Sequence, residues 1–292
     1  MKAAILCDSS AYLASPLKDR NDIYHVDFTL ALPNGEVITE STEERHLEKF
    51  FDEWMQEGTA QPKTAQPGIR DYHDAFQKII DAGYDTVFGV YLNSGVSGTF
   101  QTARSVSQEY ADQLNIINFD AVGLSVNMEQ LIQQITIMID AGKPVEEIKE
   151  TATWLNENSC FFIALEKHDN LIKGGRGESL KELEDNAFKT LPLLEYIPGD
   201  TPVLTETYRT NKQRNKKLAE LAAGYQAQYP NQKIQIGIGH ALSENKALKL
   251  KEAIQELLPE QPVEIRMIGT AFCSHLGRDA LSFGLMPKCG VE

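Results

Sequence analysis

Six runs of strand length in this chain are apolar almost without a break: AAILC at 3–7, TVFGVYL at 86–92, NIINF at 115–119, CFFIAL at 160–165, KIQIGIG at 233–239 and VEIRMIG at 263–269. A strand with one wet face alternates apolar and polar residues, so a continuous run implies a strand covered on both faces. Between several of these runs the apolar residues fall at helical spacing. Tyr72, Phe76, Ile79 and Ile80 form one such set, Phe100, Ala103, Val106 and Tyr110 a second, and Leu131, Ile135 and Met138 a third. Strand, helix, strand alternation of this kind predicts a parallel sheet with helices packed on it, an α/β fold.

Two stretches break the pattern. Residues 24–39, YHVDFTLALPNGEVIT, alternate imperfectly around Pro33-Asn34-Gly35, a tight-turn signal between β-prone runs, and predict an inserted hairpin. Beyond residue 155, CFFIAL leads through a short helical stretch to LLEYIPG and TPVLTETYR, which meet across Gly199-Asp200 as a second hairpin. Amphipathic helices are expected at 211–229 and 244–258. The expected organisation is an α/β domain over 1–155, with the hairpin near 24–39 inserted, and an α+β domain over 156–292. A ligand site is expected between them, with the segment near 270–285 contributing to it.

Charge and composition exclude several classes. The 292 residues include 28 Lys and Arg against 42 Asp and Glu, a net charge of −14, which offers no basic face for nucleic acid. The opening MKAAILCDSS is too short for an export signal, whose apolar region spans about 7–15 residues. No stretch approaches the ~20 apolar residues of a membrane span, so a soluble, cytoplasmic protein with no stable membrane insertion is expected. Cys7, Cys160, Cys273 and Cys289 contain no C-x-x-C pair and read as buried thiols of a reducing compartment. The His residues are too scattered for a local metal pair, and neither metal nor cofactor is implied.

Chemistry concentrates in polar loops. In 86–101, TVFGVYLNSGVSGTFQ, a buried strand runs into a hydroxyl-rich turn that opens a helix. Unpaired N–H groups at the helix start, the approach to backbone that Gly95 and Gly98 permit, and the hydroxyls of Ser94, Ser97 and Thr99 suit an anion. Ser97 as a plain helix cap is the other reading. A second loop, Lys63-Thr64-Ala65-Gln66-Pro67-Gly68, precedes a helix near Ile69, with Thr64 either a helix-start residue or a donor. Asp8-Ser9-Ser10 is a third, and all three are expected at the carboxyl edge of the parallel sheet, where open α/β folds bind ligands. His275, after the run ending at Gly269, is either a surface residue or a hydrogen-bond donor to an anion. Lys173-Gly174-Gly175-Arg176 reads as a helix C-terminus with an exposed Arg.

In chain order, Asp8-Ser9-Ser10, Thr64-Ala65-Gln66-Pro67, Asn93-Ser94-Gly95-Val96-Ser97-Gly98-Thr99-Phe100-Gln101, Gly174-Gly175-Arg176 and Ser274-His275-Leu276-Gly277 resemble the bacterial DegV family over essentially the whole chain. The resemblance implies a protein that is not an enzyme itself. It binds a long-chain fatty acid, holding the carboxylate by loop hydroxyls and amides and the tail in an apolar tunnel, and presents it to a separate fatty acid kinase for acyl phosphate formation. Matching the family pattern residue by residue puts the ligand contacts at Thr64, Ser94, Gly95 and His275 and the kinase-facing positions at Arg176 and His275. The chain departs from the pattern at Asn93, Ala65, Gly177 and Arg278-Asp279. The last pair replaces Pro-Gly and is expected to bring charge beside His275.

One enzymatic alternative is open from the residues alone: a serine hydrolase or acyltransferase using Ser94 or Ser97 with His275. The turn G-V-S-G is one residue short of a nucleophile elbow.

Overall fold

The computed structural model describes residues 2–56, 60–167, 169–183, 190–197 and 199–290. The chain opens with β1 (Ala3–Asp8), buried along its length, which pairs in parallel with β2 (Ile23–Val26). A hairpin of β3 (Thr29–Ala31) and β4 (Val37–Thr39) follows, then α1 (Glu44–Trp54), after which β5 (Lys63–Ala65) returns antiparallel to β3. Next come α2 (Ile69–Asp81), β6 (Thr86–Tyr91), α3 (Thr99–Ser107) and β7 (Asn115–Asp120). Their strands complete a wholly parallel sheet of order β2-β1-β6-β7.

Two consecutive helices, α4 (Val126–Asp140) and α5 (Val145–Glu157), lead into the second half of the chain. That half contains β8 (Cys160–Ala164), α6 (Asp169–Lys173), the hairpin β9 (Leu191–Glu195) and β10 (Val203–Tyr208), and α7 (Asn211–Gln228). It ends with β11 (Ile234–His240), α8 (Glu244–Leu257), β12 (Val263–Met267), α9 (Thr270–Leu276) and β13 (Leu281–Pro287). The six strands form one mixed sheet, β10-β9-β8-β13-β11-β12.

Each of the six apolar runs is a strand. Two expectations need correction. The inserted hairpin is present, but it spans only β3 and β4: the first residues of 24–39 belong to β2 of the parallel sheet, and β5 joins the hairpin to make a separate three-stranded sheet. His275 also does not follow the last strand. It sits on α9, and β13 comes after it in the middle of the six-stranded sheet, between β8 and β11. In sequence β13 is LSFGLMP, whose Ser282 and Gly284 hide its burial. Gly284 is small because Asn127 of α4 lies against it.

Helix α4 packs on β6 of the parallel sheet and on β11 and β13 of the mixed one. A helix enclosed in this way is apolar on more than one side, as Met128, Leu131, Ile132, Ile135 and Met138, all buried, attest. The turn into it is tightly specified. Gly123 has φ +100°, and a Cβ placed there would overlap the ring of Phe161 on β8.

Replacing Gly123 by Ala should therefore destabilise the protein by roughly 2–4 kcal/mol, from backbone strain and overpacking together. Gly142, at φ +68° with open space where a Cβ would go, is the control. Its Ala variant should lose only about 1 kcal/mol. Urea midpoints of both variants check this, and equal losses would show that Phe161 has room to yield.

Candidate functional site

Strand β1 ends in Asp8, whose carboxylate is fully buried and accepts from the Ser10 N–H at 2.9 Å, the Ser10 hydroxyl and the Leu92 N–H at 2.7 Å. The last of these ties the end of β1 to the end of β6. Burial pushes the Asp8 carboxyl up to about 6, against the pull of its hydrogen bonds. Glu40, after β4, accepts from the Ser9 and Tyr12 hydroxyls and sits under the first turn of α9, with burial raising it to about 7. Thr270 closes the same joint, its N–H donating to the Ser41 carbonyl and its hydroxyl accepting from the Ser41 N–H. The loops of the first half are thus bonded to α9, which carries His275.

Beside this joint lies a cavity of about 320 Å³, at the lower end of the roughly 300–1,000 Å³ of small-molecule sites. Both halves of the chain line it. Its polar wall contains Thr64, Gln66, Ser97, Gly98, Arg176 and His275. Phe28, Leu92, Leu171, Phe272 and Leu276 supply most of the apolar wall, with Tyr196 beside them.

Thr64 is held by β5, where it stands opposite Leu30 of β3, and its hydroxyl lies 2.9 Å from Nε2 of His275. It does not emerge at the carboxyl edge of the parallel sheet, as the loops after β1 and β6 do. The small sheet brings it there from the side. His275 is half-buried, and its ring packs against Gly174, where any side chain would strike the imidazole. Burial, and secondarily the positive charge of Arg176, lowers its pKa to about 4, so the ring is neutral at pH 7. In the tautomer with the proton on Nε2, His275 donates to Thr64 and leaves the threonine hydroxyl free to donate to an anion. Arg176 is exposed, its guanidinium bonded to the carbonyls of Gly174 at 2.7 Å and Val96 at 3.3 Å.

Ser94 and Gly95 stand next to the cavity but do not line it. The Ser94 N–H donates to Asp120 at 2.8 Å and its hydroxyl donates to the same carboxylate, while Gly95 packs against the backbone of Asp200 in the β9–β10 turn. Ser97 and Gly98, further along the same loop, reach the cavity instead. The Ser97 hydroxyl lies 2.7 Å from that of Thr99 and accepts from the Thr99 N–H at 3.3 Å while facing the cavity, but the residue that caps α3 is Gly98, so Ser97 is not the helix cap its position suggested. Neither serine bonds to His275. A Ser–His dyad is therefore not assembled in this geometry.

Gln66 was visible only as part of a motif, and its side chain donates to Thr102 at 2.7 Å. Phe272 and Leu276 share the helical face of His275, a spacing the sequence does display. Tyr196 carried no signal, since only the β9–β10 hairpin brings it there. The charges of Arg278 and Asp279 are taken up elsewhere: Arg278 pairs with Asp52 at 3.6 Å over the Phe51 ring, and Asp279 with Lys246 at 3.5 Å.

Three comparisons with known proteins bear on this arrangement. The family model for DegV, described as "Uncharacterised protein, DegV family", matches residues 2–288. The DegV domain-containing protein spr1415 of Streptococcus pneumoniae is 25% identical over 287 residues, covering 98% of this chain and 99% of its own. Among solved structures, the fatty acid binding DegV family protein SAG1342 from Streptococcus agalactiae superposes with a TM-score of 0.88 at 26% identity, covering 99% of this chain and 100% of that one. DegV from Bacillus subtilis, described as a fatty acid binding protein, shares the fold with a TM-score of 0.85 at 21% identity, over 99% and 100% of the two chains.

The site makes a titration prediction. By NMR, the His275 imidazole should remain neutral down to about pH 5 and titrate near 4. A histidine whose folded pKa lies below its unfolded value contributes stability that is present above about 6.5 and is lost as pH falls toward 4. Arg176→Gln should raise the midpoint yet leave it below 6.5, because burial is the larger cause. A parent midpoint at or above 6.5 would show a solvated ring.

Proposed function

The chain belongs to the DegV family, and from that premise we propose that it binds a long-chain fatty acid in the cavity beside α9 and presents the carboxylate to a separate fatty acid kinase, itself catalysing no reaction. The observation that carries this reading is the Thr64–His275 pair, 2.9 Å apart, set in the polar wall of a cavity whose remaining wall is largely apolar. A carboxylate needs donors and an alkyl tail needs none. The Thr64 hydroxyl, left free to donate by the N–H that the neutral imidazole gives it, supplies the donor for the head, and the exposed Arg176 stands at the opening beside it. Ser94, tied to Asp120, and Gly95, under Asp200, set the course of the loop that offers Ser97 and Gly98.

The tail drives affinity. Each buried methylene contributes about 0.8 kcal/mol, offset by the ordering of the chain and by desolvation of the head. The head sets orientation and leaves the carboxylate near Arg176, whose exposure suits recognition by another protein. Acyl phosphate formation would then need only a kinase that docks at this opening with a phosphoryl donor.

Native mass spectrometry of the purified protein should show added mass matching a fatty acid, lost on organic extraction. Thr64→Val should weaken fatty acid binding by about ten- to a hundredfold, the loss of one charge-assisted hydrogen bond. Fatty alcohols of equal length should bind the parent less well and lose less on this change. Equal affinities for acid and alcohol would remove the head group from these residues.

Arg176→Ala separates the two parts of the proposal. Affinity should hold within about fivefold, the scale of an exposed charge contact, while acyl phosphate formation by a cognate kinase falls well beyond that. A collapse of affinity would assign Arg176 to the head group instead.

A further inference from the structure

The cavity follows one face of α9. His275 and Leu276 line it at the last turn of the helix, and Ala271 and Phe272 line it one turn earlier. Four residues of helix rise about 6 Å, so on this wall the polar end gives way to carbon within a single turn. At the carbon end aromatic rings pack on one another. The Phe272 ring meets Phe28 edge-on at 6.1 Å and Tyr12 at 6.4 Å, and Tyr12 is itself fixed by its hydroxyl bond to Glu40.

A second aromatic residue, Tyr196, also lines the cavity, and it differs chemically from Phe272. Tyr196 is 5% exposed, and its hydroxyl has no hydrogen-bond partner among the described residues. A terminal methyl set against it would bury that hydroxyl unpaired, which is unfavourable. Phe272 and Phe28 present only carbon. The alkyl end of a ligand is therefore better placed against Phe272 than against Tyr196, with its polar end toward Thr64 and His275.

Resting on the fatty-acid reading above, we propose that Phe272, held against Phe28, sets the length of acyl chain this protein accepts. A chain that reaches Phe272 has filled the space along α9. Further methylenes must turn the ring out of its edge contacts with Phe28 and Tyr12, so they add little.

The test is an affinity series of saturated fatty acids from eight to eighteen carbons against the delipidated protein, read by displacement of a fluorescent fatty acid. In the parent, affinity should rise about fourfold per methylene up to a break and then level off. Phe272→Leu, chosen because Phe272→Ala risks the fold, should move the break to longer acids by at least two carbons, and Phe272→Trp should move it to shorter ones. A break unmoved by either variant, or moved by Tyr196→Leu instead, overturns the proposal while leaving fatty acid binding intact. Failure of every acid in the series to bind overturns the fatty-acid reading and this inference with it.

Discussion

A helix enclosed by a sheet on either side has little route to water for the polar side chains on its enclosed faces, and most of α4 is in that position. Asn127, Glu129, Gln130 and Gln134 are all buried on it. Burying such groups unbonded is costly, and three of the four find partners, the amide of Gln130 having none among the described residues. Asn127 donates to the carbonyls of Val122 and Cys160; Glu129 accepts from the Ala14 N–H at 2.8 Å and from Arg266 at 2.7 Å; Gln134 accepts from the Cys289 N–H at 2.8 Å. These partners come from the β1 loop, β8, β12 and the C-terminal segment. The helix therefore fixes, by obligatory bonds, how the two sheets face each other. Removing one partner of Glu129 would leave a buried charge uncompensated, a loss of roughly 3–5 kcal/mol.

That constraint places the loops of the parallel sheet opposite α9, and a second set of bonds locks them. The Ser125 N–H donates to the Ser10 carbonyl at 2.7 Å, joining the start of α4 to the β1 loop. From there Ser9 and Tyr12 reach Glu40, and Ser41 reaches Thr270. The joint includes two carboxyls raised by burial, Asp8 to about 6 and Glu40 to about 7. A carboxyl raised in this way favours the folded state most below its unfolded pKa, and that contribution is lost as pH climbs through 6 to 7. The depressed His275 works in the opposite sense, so the acid side of the stability curve is shaped by groups that oppose one another.

What was legible in the chain follows from how local the signal is. Continuous apolarity exposes a doubly covered strand, and β1, β6, β7, β8, β11 and β12 declare themselves by it. β13 is equally buried, but it carries Ser282 and Gly284 where α4 presses on the sheet, and its pattern reads as a loop. Ser94 shows the same limit at the site. Its hydroxyl is plain in the sequence; the acceptor beside it is not, because Asp120 comes adjacent only through the register that sets Tyr91 of β6 against Asp120 of β7. Thr64 and His275 lie 211 positions apart, and two different sheets must form before they meet. Motif order found both residues. Periodicity alone could not have joined them.

The departure at Arg278-Asp279 shows which part of a motif is constrained. Asp279 has φ +73°, a left-handed conformation that suits the glycine of the commoner pattern and is uncomfortable for a side chain. The backbone keeps that shape because the Asp279 N–H donates to the Ala241 carbonyl at 2.9 Å, and the Ala241 N–H in turn donates to the Ala280 carbonyl at 3.0 Å. These bonds pin the start of β13 to the end of β11, and with it the distance over which the chain leaves α9. The side chains are free to vary so long as they find partners away from the cavity, as Arg278 does over Phe51 and Asp279 does with Lys246. The turn thus keeps its left-handed residue at 279 whatever charge it carries, and His275 retains a neutral, largely desolvated setting despite two charged neighbours in sequence.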